Sequence, residues 1–441
     1  MKTQGNKRVL KACKIYQMLR KSAKKSHLPF HMPGHKIGAW DITELDYSDN
    51  LASPHGCIAQ AEKEIAQILG AHKSFILTDG STSGVLSMLY AAKTLGVNKI
   101  ALFESSHKSV WNGCKIAGIT PLVYTQKSEE KIPKNPTMYE LKRDFAELLE
   151  AADALFITTP DYYGNVADLA EIRRYCDEMG KLLLIDGAHG GHLHFERLLY
   201  AGEYADMWVD GVHKSLPSLT QGAVVSAKNE RFAKALLEGV LTFRTTSPSY
   251  PIMASVEYAV KYPRNERLEK CVKEYISSCD RVYTSKDWTK LCALFGDSAF
   301  EVEKELIQKG IYPEFCDGHV VMFYLSPCTK GKDFERLKKE LTLLFEKYPY
   351  LTKNTPKPVH TPLVLEENAE TEWVETEKAE DRVCAGECGL FPPCTPLIKK
   401  GERISAGKIE LLKKAANTYG LADGKILVVC LTNQTNERKG E

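Results

Sequence analysis

The sequence predicts an α/β protein built on a mostly parallel sheet of seven strands, followed by a smaller carboxyl-terminal α/β domain. Seven short apolar runs follow one another between residues 74 and 226, and helical segments separate most of them. Continuous apolar strands that alternate with helices are typical of a parallel sheet covered on both faces. The predicted strands are Ser74–Thr78, Lys99–Phe103, Pro121–Thr125, Ala154–Thr158, Lys181–Asp186, Asp206–Val209 and Gly222–Ser226.

Composition limits the kind of protein this is. The chain has 441 residues, 43% of them hydrophobic, which is enough for two or three domains with sizeable cores. A net charge of only +2 gives no general attraction to nucleic acid or to a membrane surface, so we expect neither partner. Thirteen cysteines are scattered along the chain, and in a protein of this length they indicate reduced thiols in the cytoplasm.

The elements along the chain predict three regions. Residues 1–56 should form one amphipathic helix, at 7–24, and an arm rich in Pro, Gly, Asp and Ser. The large domain, 57–289, should hold the sheet and end in a helical stretch from Pro251 to about residue 285. The small domain should span 290–441. It should contain strands at His319–Leu325 and Lys425–Leu431, a helix at Lys332–Lys347, and a solvated acidic loop or helix at Glu366–Asp381.

Two charged residues lie at the ends of neighbouring predicted strands. Asp186 ends the apolar run KLLLI, and Lys214 follows the strand Asp206–Val209. Ligands of such sheets bind beyond the carboxyl ends of the strands. A lysine in an apolar site loses solvation and becomes a nucleophile, and an aspartate can keep a pyridine nitrogen protonated. This pair is what pyridoxal phosphate requires, although the spacing alone is compatible with a capping aspartate and a glycine turn.

Two further motifs strengthen this hypothesis. Asp79-Gly80-Ser81-Thr82-Ser83-Gly84 lies between a predicted strand and a helix, where amides and hydroxyls can hold a phosphate group. The same residues are also typical of an ordinary helix cap. His107 follows the strand Lys99–Phe103 and could lie flat on a pyridine ring, or it could be a capping histidine.

Taken together, these motifs resemble those of the Orn/Lys/Arg decarboxylase family, bacterial enzymes of the fold type I pyridoxal-phosphate class. The resemblance covers most of the chain in the same order. It is carried by Phe30–Lys36, Asp41–Glu44, Ala61-Glu62, Asp79–Thr82, His107–Ser109, Asp186–His189, His213–Gln221, Thr245–Tyr250, Phe391–Pro396 and Gly401-Glu402. Because the first motif begins at Phe30, we expect a short form without the N-terminal wing domain.

The resemblance implies a role for each matching residue. Lys214 would form the Schiff base with pyridoxal phosphate, Asp186 would pair with the ring nitrogen, and His107 would stack on the ring. Beside Lys214, His213 would lie near the phosphate and serve, like the lysine, as a possible proton donor to the substrate. The remaining cofactor contacts would come from Gly80, Ser81, Thr82, His189 and Thr246, the last of these reaching a neighbouring subunit of a homodimer.

The substrate end of the site is less well defined by the sequence. His35 would lie near its entrance, and Glu387 and Glu402 are hypotheses for binding the distal cation of arginine, lysine or ornithine. Departures from the family pattern occur at Gly211, where a serine is usual, and at Cys394-Thr395. Neither the histidines at 189, 192 and 194 nor the cysteines at 384, 388 and 394 have the spacing of a familiar zinc site, so we expect no metal.

The resemblance therefore implies decarboxylation of a basic amino acid to its amine and CO2, a step of polyamine biosynthesis. A second hypothesis is another fold type I reaction, by an aminotransferase or a carbon–carbon lyase. An arginine that binds the substrate carboxylate would favour transamination, and Arg244 and Arg403 are the residues that could do so. A third hypothesis is a protein that binds the cofactor without turnover.

Overall fold

The computed structural model describes residues 4–24, 28–38, 40–125, 132, 134–350, 369–391, 396–415 and 417–430. The chain divides into two compact units. The first comprises residues 1–274, 285–289 and 325–330, and the second comprises residues 275–284, 290–324 and 331–441. The expected domain boundaries stay a prediction. None of the helices within the described ranges combines the length and the apolar character needed to cross a bilayer.

The first unit is built on a seven-stranded sheet with strand order β1-β7-β6-β5-β4-β2-β3. All neighbouring strands are parallel except at β7, which runs antiparallel to both β1 and β6. The strands are β1 (Lys73–Leu77), β2 (Lys99–Phe103), β3 (Thr120–Tyr124), β4 (Ala154–Thr158), β5 (Leu182–Gly187), β6 (Met207–Asp210) and β7 (Ala223–Ala227). Each predicted apolar run coincides with one of them, and the predicted fold class is confirmed.

Helices cover both faces of this sheet because its strands are apolar on both sides. One hydrophobic cluster includes Ile185 and Trp208, and another, on the opposite face, includes Leu184 and Val209. The helices of the first unit are α1 (Gln4–Ala12), α2 (Lys14–Ser22), α3 (Cys57–Leu69), α4 (Gly80–Thr94), α5 (Lys108–Ala117), α6 (Met138–Asp144), α7 (Ala146–Ala151), α8 (Leu169–Glu178), α9 (Ala201–Tyr204), α10 (Val212–Ser215), α11 (Glu230–Phe243) and α12 (Tyr250–Val260), and α13 (Glu266–Ser278) begins in it. This layering leaves the carboxyl edge of the parallel strands for a site.

The expected single helix at 7–24 is wrong, because the chain breaks at Cys13 into α1 and α2. The carboxylate of Glu257, which is fully buried, accepts hydrogen bonds from the backbone N–H groups of Lys14 and Ile15 at 2.6 and 2.9 Å. These are the first amides of α2, which have no partner within their own helix. A side chain that lies more than 240 residues away thus starts a new helix, which no local pattern could reveal.

The expected helical stretch from Pro251 to residue 285 is also interrupted. The helix α12 ends at Val260 and α13 begins only at Glu266. Pro263 lies in the gap, and a proline inside a helix removes one hydrogen bond and clashes with the preceding turn. The single continuous helix is therefore replaced by two.

The second unit contains small antiparallel sheets. Its sheets have the orders β8-β10-β9, β11-β15-β14 and β12-β13. The elements are β8 (Lys290–Leu294), α14 (Ala299–Gln308), β9 (Phe315–Cys316), β10 (Val320–Tyr324), α15 (Gly331–Lys347), β11 (Thr371–Glu375), β12 (Gly389–Leu390), α16 (Ala406–Lys414), β13 (Thr418–Tyr419), β14 (Leu421–Ala422) and β15 (Lys425–Val429). The acidic segment expected as a loop or helix includes the strand β11, whose residues are mostly exposed.

Replacing Glu257 by Gln should lower the free energy of unfolding by about 1–3 kcal/mol, because one buried donor loses its acceptor. Urea denaturation followed by circular dichroism measures this change. Glu257 also pairs with Lys261, whose Nζ lies 2.6 Å from its Oε1. Glu64→Gln is the matched control, since Glu64 is 36% exposed and pairs with the same lysine. Its effect should stay below about 1 kcal/mol. Equal losses in the two variants would contradict the capping role of Glu257.

Candidate active site

The structure brings Asp186, Lys214 and His189 together at the carboxyl edge of the sheet. Asp186 lies at the end of β5, and Lys214 lies on the short helix α10 that follows β6. Lys214 Nζ is 3.1 Å from Nε2 of His189, which is itself buried. The ring of Tyr162 packs edge-on against His189, with the ring centroids 4.6 Å apart. The amine of Lys214 therefore has an imidazole as an immediate proton-exchange partner.

Asp186 is a buried carboxyl group whose neighbours compensate only partly for its loss of contact with water. Its Oδ1 accepts a hydrogen bond from the backbone N–H of Ala188 at 3.0 Å. Burial raises the pKa of Asp186 above its usual value, and the nearby charge of Lys214 and the Ala188 hydrogen bond oppose this rise. A further cation next to this carboxyl group would stabilise its ionised form.

His107 is held as a neutral imidazole at the start of α5. The backbone N–H of Ser109 donates to its Nδ1 at 3.2 Å, so the ring proton lies on Nε2. Burial, followed by the charges of Lys214 and Lys108, lowers the pKa of His107 to about 4. The capping role and the position near Lys214 thus occur together, and the two alternatives left open by the sequence are compatible.

The start of α4 combines unsatisfied backbone amides with a buried hydroxyl group. Within the described residues, the Oγ of Ser81 is buried and has no hydrogen-bond partner. The side chain of Thr82 is exposed. The N–H of Gly80 donates to the carbonyl of Gln221 at 2.8 Å, so this amide is not free for a ligand. An anion would satisfy both the Ser81 hydroxyl and the first amides of the helix.

At Gly211 the backbone packs so closely against Ser81 and against the residue after β5 that there is no room for a side chain. A Cβ atom added at residue 211 would lie 2.3 Å from the carbonyl oxygen of Ala188 and 2.9 Å from Oγ of Ser81. The departure from the family pattern at this residue therefore has a structural reason. The backbone of this chain approaches Ser81 directly, where a serine at residue 211 would need the chain to move.

The three other histidines near this edge each have a separate partner. Nδ1 of His213 donates to the carbonyl of Gly222 at 2.9 Å, and burial lowers the pKa of His213. His192 Nε2 lies 2.8 Å from Oδ1 of the buried Asp287, and Nδ1 of His194 lies 2.7 Å from the carbonyl of Gly191. The partners of His189, His192 and His194 thus differ.

The remaining predicted site residues lie in different surroundings. Thr246 is exposed, next to Thr245, whose N–H donates to Asp79 at 3.1 Å. His35 is exposed, and its Nε2 lies 3.0 Å from Asp41. In the second unit Glu387 is exposed, whereas Glu402 is buried and accepts hydrogen bonds from Lys408 and from the N–H of Lys399. Cys394 and Thr395 lie outside the described residues. The roles of all these residues stay predictions.

The sequence did not predict the hydrogen-bond network at the end of β6, which is centred on Asp210. The carboxyl group of Asp210 accepts hydrogen bonds from the hydroxyl of Tyr200 and the indole N–H of Trp208 at 2.7 and 3.1 Å. Alternation along the strand was a signal for part of it, since residues 208 and 210 must share one face. The partner Tyr200 lies on a separate segment that the sequence pattern does not connect to this strand.

The comparisons with known proteins give the class and then the family. The fold matches that of a lysine decarboxylase from Francisella novicida, with a TM-score of 0.72 and 17% identity over 95% of this chain and 81% of that one. It also matches a serine palmitoyltransferase from S. paucimobilis with bound pyridoxal phosphate and myriocin, with a TM-score of 0.51 and 13% identity over 66% of this chain and 76% of that one. These two matches show that the fold is the one shared by the fold type I pyridoxal-phosphate enzymes.

Residues 39–290 match the family described as Orn/Lys/Arg decarboxylase, major domain. An arginine decarboxylase from Bacillus subtilis is 26% identical over 461 aligned residues, which cover 91% of this chain and 93% of that protein. The chain belongs to the Orn/Lys/Arg decarboxylase family, and the predicted resemblance is confirmed.

The residues present fit pyridoxal phosphate. The unpartnered buried hydroxyl of Ser81 and the amides of α4 suit the phosphate group, and the buried carboxyl of Asp186 suits a protonated ring nitrogen. The amine of Lys214 lies near both His189 and Asp186, where it can react with an aldehyde. An anion site, a buried carboxyl group and an amine at one sheet edge match the three reactive ends of this cofactor.

Replacing Gly211 by Ala should lower the free energy of unfolding by about 1–3 kcal/mol, because the added methyl group overlaps a backbone carbonyl. Gly331→Ala is the control, since nothing lies within 4 Å of a Cβ at that residue. The control should change stability by less than about 0.5 kcal/mol. Urea denaturation measures both variants. A Gly211→Ala variant as stable as the parent would show that the contact with Ala188 relaxes freely.

The low pKa of His107 predicts a dependence of stability on pH. The unfolded histidine titrates near its ordinary value of 6.5, whereas the folded one titrates at about 4. The unfolded state therefore binds more protons between these values, and stability falls as the pH drops from 6.5 toward 4. In His107→Gln this decrease should be smaller, as measured by urea denaturation at several pH values. The same change at the exposed His55 should leave the pH dependence as it is in the parent.

Proposed function

We propose that this chain is a pyridoxal-phosphate-dependent decarboxylase that converts a basic L-amino acid to its amine and CO2. The observation that carries the proposal is the contact of Lys214 Nζ with His189, next to the buried Asp186, inside the segment that matches the family. Bound pyridoxal phosphate supplies an electron-accepting ring that stabilises the charge left when the substrate loses CO2. The protein's part is to bind and orient the cofactor and the substrate, and to move protons.

Each residue of the site has a stated task in this proposal. Lys214 holds the cofactor covalently through Nζ, and Asp186 keeps a proton on the ring nitrogen by pairing with it. His107, neutral and partly buried, stacks on the ring without adding a positive charge that would compete for Asp186. Ser81 and the first amides of α4 hold the phosphate group.

Proton transfer involves Lys214 and its neighbours. Nε2 of His189 lies within hydrogen-bond distance of Nζ of Lys214, so the two groups can exchange a proton directly. The predicted alternative donor, His213, uses its Nδ1 proton for the Gly222 carbonyl. This arrangement supports Lys214 as the donor to the substrate and His189 as the group that restores its proton.

The aminotransferase alternative is weakened by the surroundings of Arg244. Its guanidinium is buried and donates to the carbonyls of Ile76 and Leu51 at 3.3 and 2.6 Å. It also lies 3.9 Å from the buried Glu62. An arginine committed to these groups is poorly placed to bind a substrate carboxylate, which a transaminase requires.

The substrate is arginine, lysine or ornithine, and the relatives include both arginine and lysine decarboxylases. The distal cation needs an acidic or hydrogen-bonding partner, for which Glu387 and Glu402 are our proposals, with His35 at the entrance. Glu402 already pairs with Lys408 and would have to exchange this partner. The product amine places the enzyme in polyamine biosynthesis.

We further infer a homodimer in the cytoplasm. The arm before α3 exposes large apolar side chains, including Phe30 at 93%, Met32 at 70% and Ile37 at 73% exposure. Exposed apolar side chains that cluster in one segment favour a protein interface. Thr246 is also exposed, as contact with a neighbouring subunit requires. The cysteines described are free thiols, which supports a reducing compartment.

The direct test is to supply the purified protein with pyridoxal phosphate and each of L-arginine, L-lysine and L-ornithine, and to measure CO2 and amine. We expect release of CO2 together with one amine, without any requirement for a keto acid. A protein that binds the cofactor but transfers the amino group to a keto acid would be an aminotransferase. Binding with no turnover of any amino acid would support the non-catalytic alternative.

Replacing Lys214 by Ala should abolish covalent attachment of the cofactor and lower CO2 release at least about a hundredfold, the lower range for loss of an acid–base group. Borohydride reduction followed by mass spectrometry detects the covalent attachment. Lys234→Ala is the control, because Lys234 is 75% exposed on α11. This control should keep both properties. Turnover at the parent rate in the Lys214 variant would overturn the assignment of this residue.

A further inference from the structure

Asp210 is a second buried carboxyl group at the carboxyl edge of the sheet, and it has an unusual set of partners. One oxygen, Oδ2, accepts hydrogen bonds from the Tyr200 hydroxyl at 2.7 Å and from the Trp208 indole N–H at 3.1 Å. The other oxygen, Oδ1, is buried and has no hydrogen-bond partner in the described part of the chain. The side chain thus has only two donors for a group that can accept about four hydrogen bonds when ionised.

Asp210 and Asp186 lie on adjacent strands. In the register of β5 and β6, Gly187 is opposite Asp210 and Asp186 is opposite Val209. Since side chains alternate along a strand, the two carboxyl groups lie on opposite faces of the same sheet edge. A Cβ added at Gly187 would lie 3.3 Å from Oδ1 of Asp210. The carboxyl group of Asp210 therefore lies against the residue that follows Asp186, on the other side of the sheet backbone.

Among the described residues, the groups that act on the Asp210 carboxyl include no cation. Tyr200, from the segment before α9, and Trp208, on β6, are its donors, and Asp186 on β5 acts on it as a negative charge. His194 packs edge-on against Tyr200, and burial lowers the pKa of this histidine to about 4, so it is neutral at pH 7. Arg197 acts on both Tyr200 and His194 and lowers the pKa of each.

These surroundings make the charge of Asp210 variable near neutral pH. Burial raises the pKa of Asp210 to about 7, with the two hydrogen bonds opposing the rise and the charge of Asp186 adding to it. At pH 6 the group is therefore mostly protonated, and at pH 8 it is mostly ionised. The electrostatic field at the site changes over the range in which a cytoplasmic enzyme works.

We propose that Asp210 is a positioning residue of the cofactor site that acts through Asp186. When Asp210 is ionised, it places a second negative charge behind Asp186 and strengthens the binding of a proton at the ring nitrogen of pyridoxal phosphate. The effect opposes loss of that proton as the pH rises, which keeps the ring an effective electron acceptor in alkaline conditions. This inference rests on the proposed cofactor and adds a residue to which no role is otherwise assigned.

The test uses Asp210→Asn, which has the same shape and is always neutral. The dissociation constant of pyridoxal phosphate is measured by fluorescence for the cofactor-free parent and variant between pH 5.5 and 8.5. The ratio of the variant's constant to the parent's should be close to one at low pH. It should rise about fivefold at high pH, a change of about 1 kcal/mol in binding free energy. Ionisations of the free cofactor are common to both proteins and cancel in the ratio.

Two controls separate this role from a purely structural one. A deaza analogue, in which carbon replaces the ring nitrogen, should bind with a ratio that does not change with pH. Tyr200→Phe removes a hydrogen bond that favours ionised Asp210, so this variant should have a higher pKa at Asp210. The pH at which cofactor binding strengthens should therefore be higher in this variant than in the parent. If Asp210→Asn does not fold, as judged by near-UV circular dichroism at pH 5.5, the shift in Tyr200→Phe decides the question.

The outcomes are distinct. A ratio that stays constant with pH, or that rises equally with the deaza analogue, would overturn the role of Asp210 while leaving the cofactor assignment in place. An unchanged pH midpoint in Tyr200→Phe would also overturn it. Failure of the parent to bind pyridoxal phosphate at any pH would overturn the proposed function, and this inference with it.

Discussion

The burial of the Asp186 carboxyl group is the constraint on which the rest of the site depends. Taking a carboxylate out of water is costly, and among the described residues the charge of Lys214 and the Ala188 hydrogen bond do not fully offset this cost. The site therefore favours any ligand that brings a positive charge to this point. A protonated pyridine nitrogen is such a charge, and the neutral state of His107 leaves it without a competing imidazolium. These charges support the proposed orientation of the cofactor, with its ring nitrogen at Asp186.

The opposite end of the site is organised by close backbone packing. Gly211 lets the end of β6 approach both Ala188 and the Ser81 hydroxyl, and this approach connects the start of α4, which we propose holds the phosphate group, to the end of β5, which carries Asp186. Lys214 follows only three residues after Gly211, on a helix of one turn. The Ser81 hydroxyl, the amine of Lys214 and the carboxyl group of Asp186 therefore lie on elements that pack against one another at the sheet edge.

Much of the fold could be predicted because its signals are local. All seven strands coincide with apolar runs, and the resemblance in Asp186, Lys214 and the Ser81 loop led to the family that the comparisons confirm. The predicted helix at 7–24 failed for a non-local reason, since the cap that divides it comes from Glu257 on α12. The helical stretch predicted after Pro251 is present but is divided into two helices, because Pro263 cannot supply the backbone hydrogen bond that a continuous helix needs.

By itself, the sequence determined the order of the seven strands, and its motifs led to the family and the class of cofactor, because these depend on residue types and their order along the chain. Only the tertiary structure decided that His189, and not His213, contacts the amine of Lys214. His213 is the sequence neighbour of Lys214, whereas His189 lies 25 residues away from it. The tertiary structure also decided that Arg244 is committed to backbone carbonyls, and that Tyr200 and Trp208 share the Asp210 carboxyl group. Most of these contacts join residues on different elements, and their distances follow from packing, which periodicity does not encode.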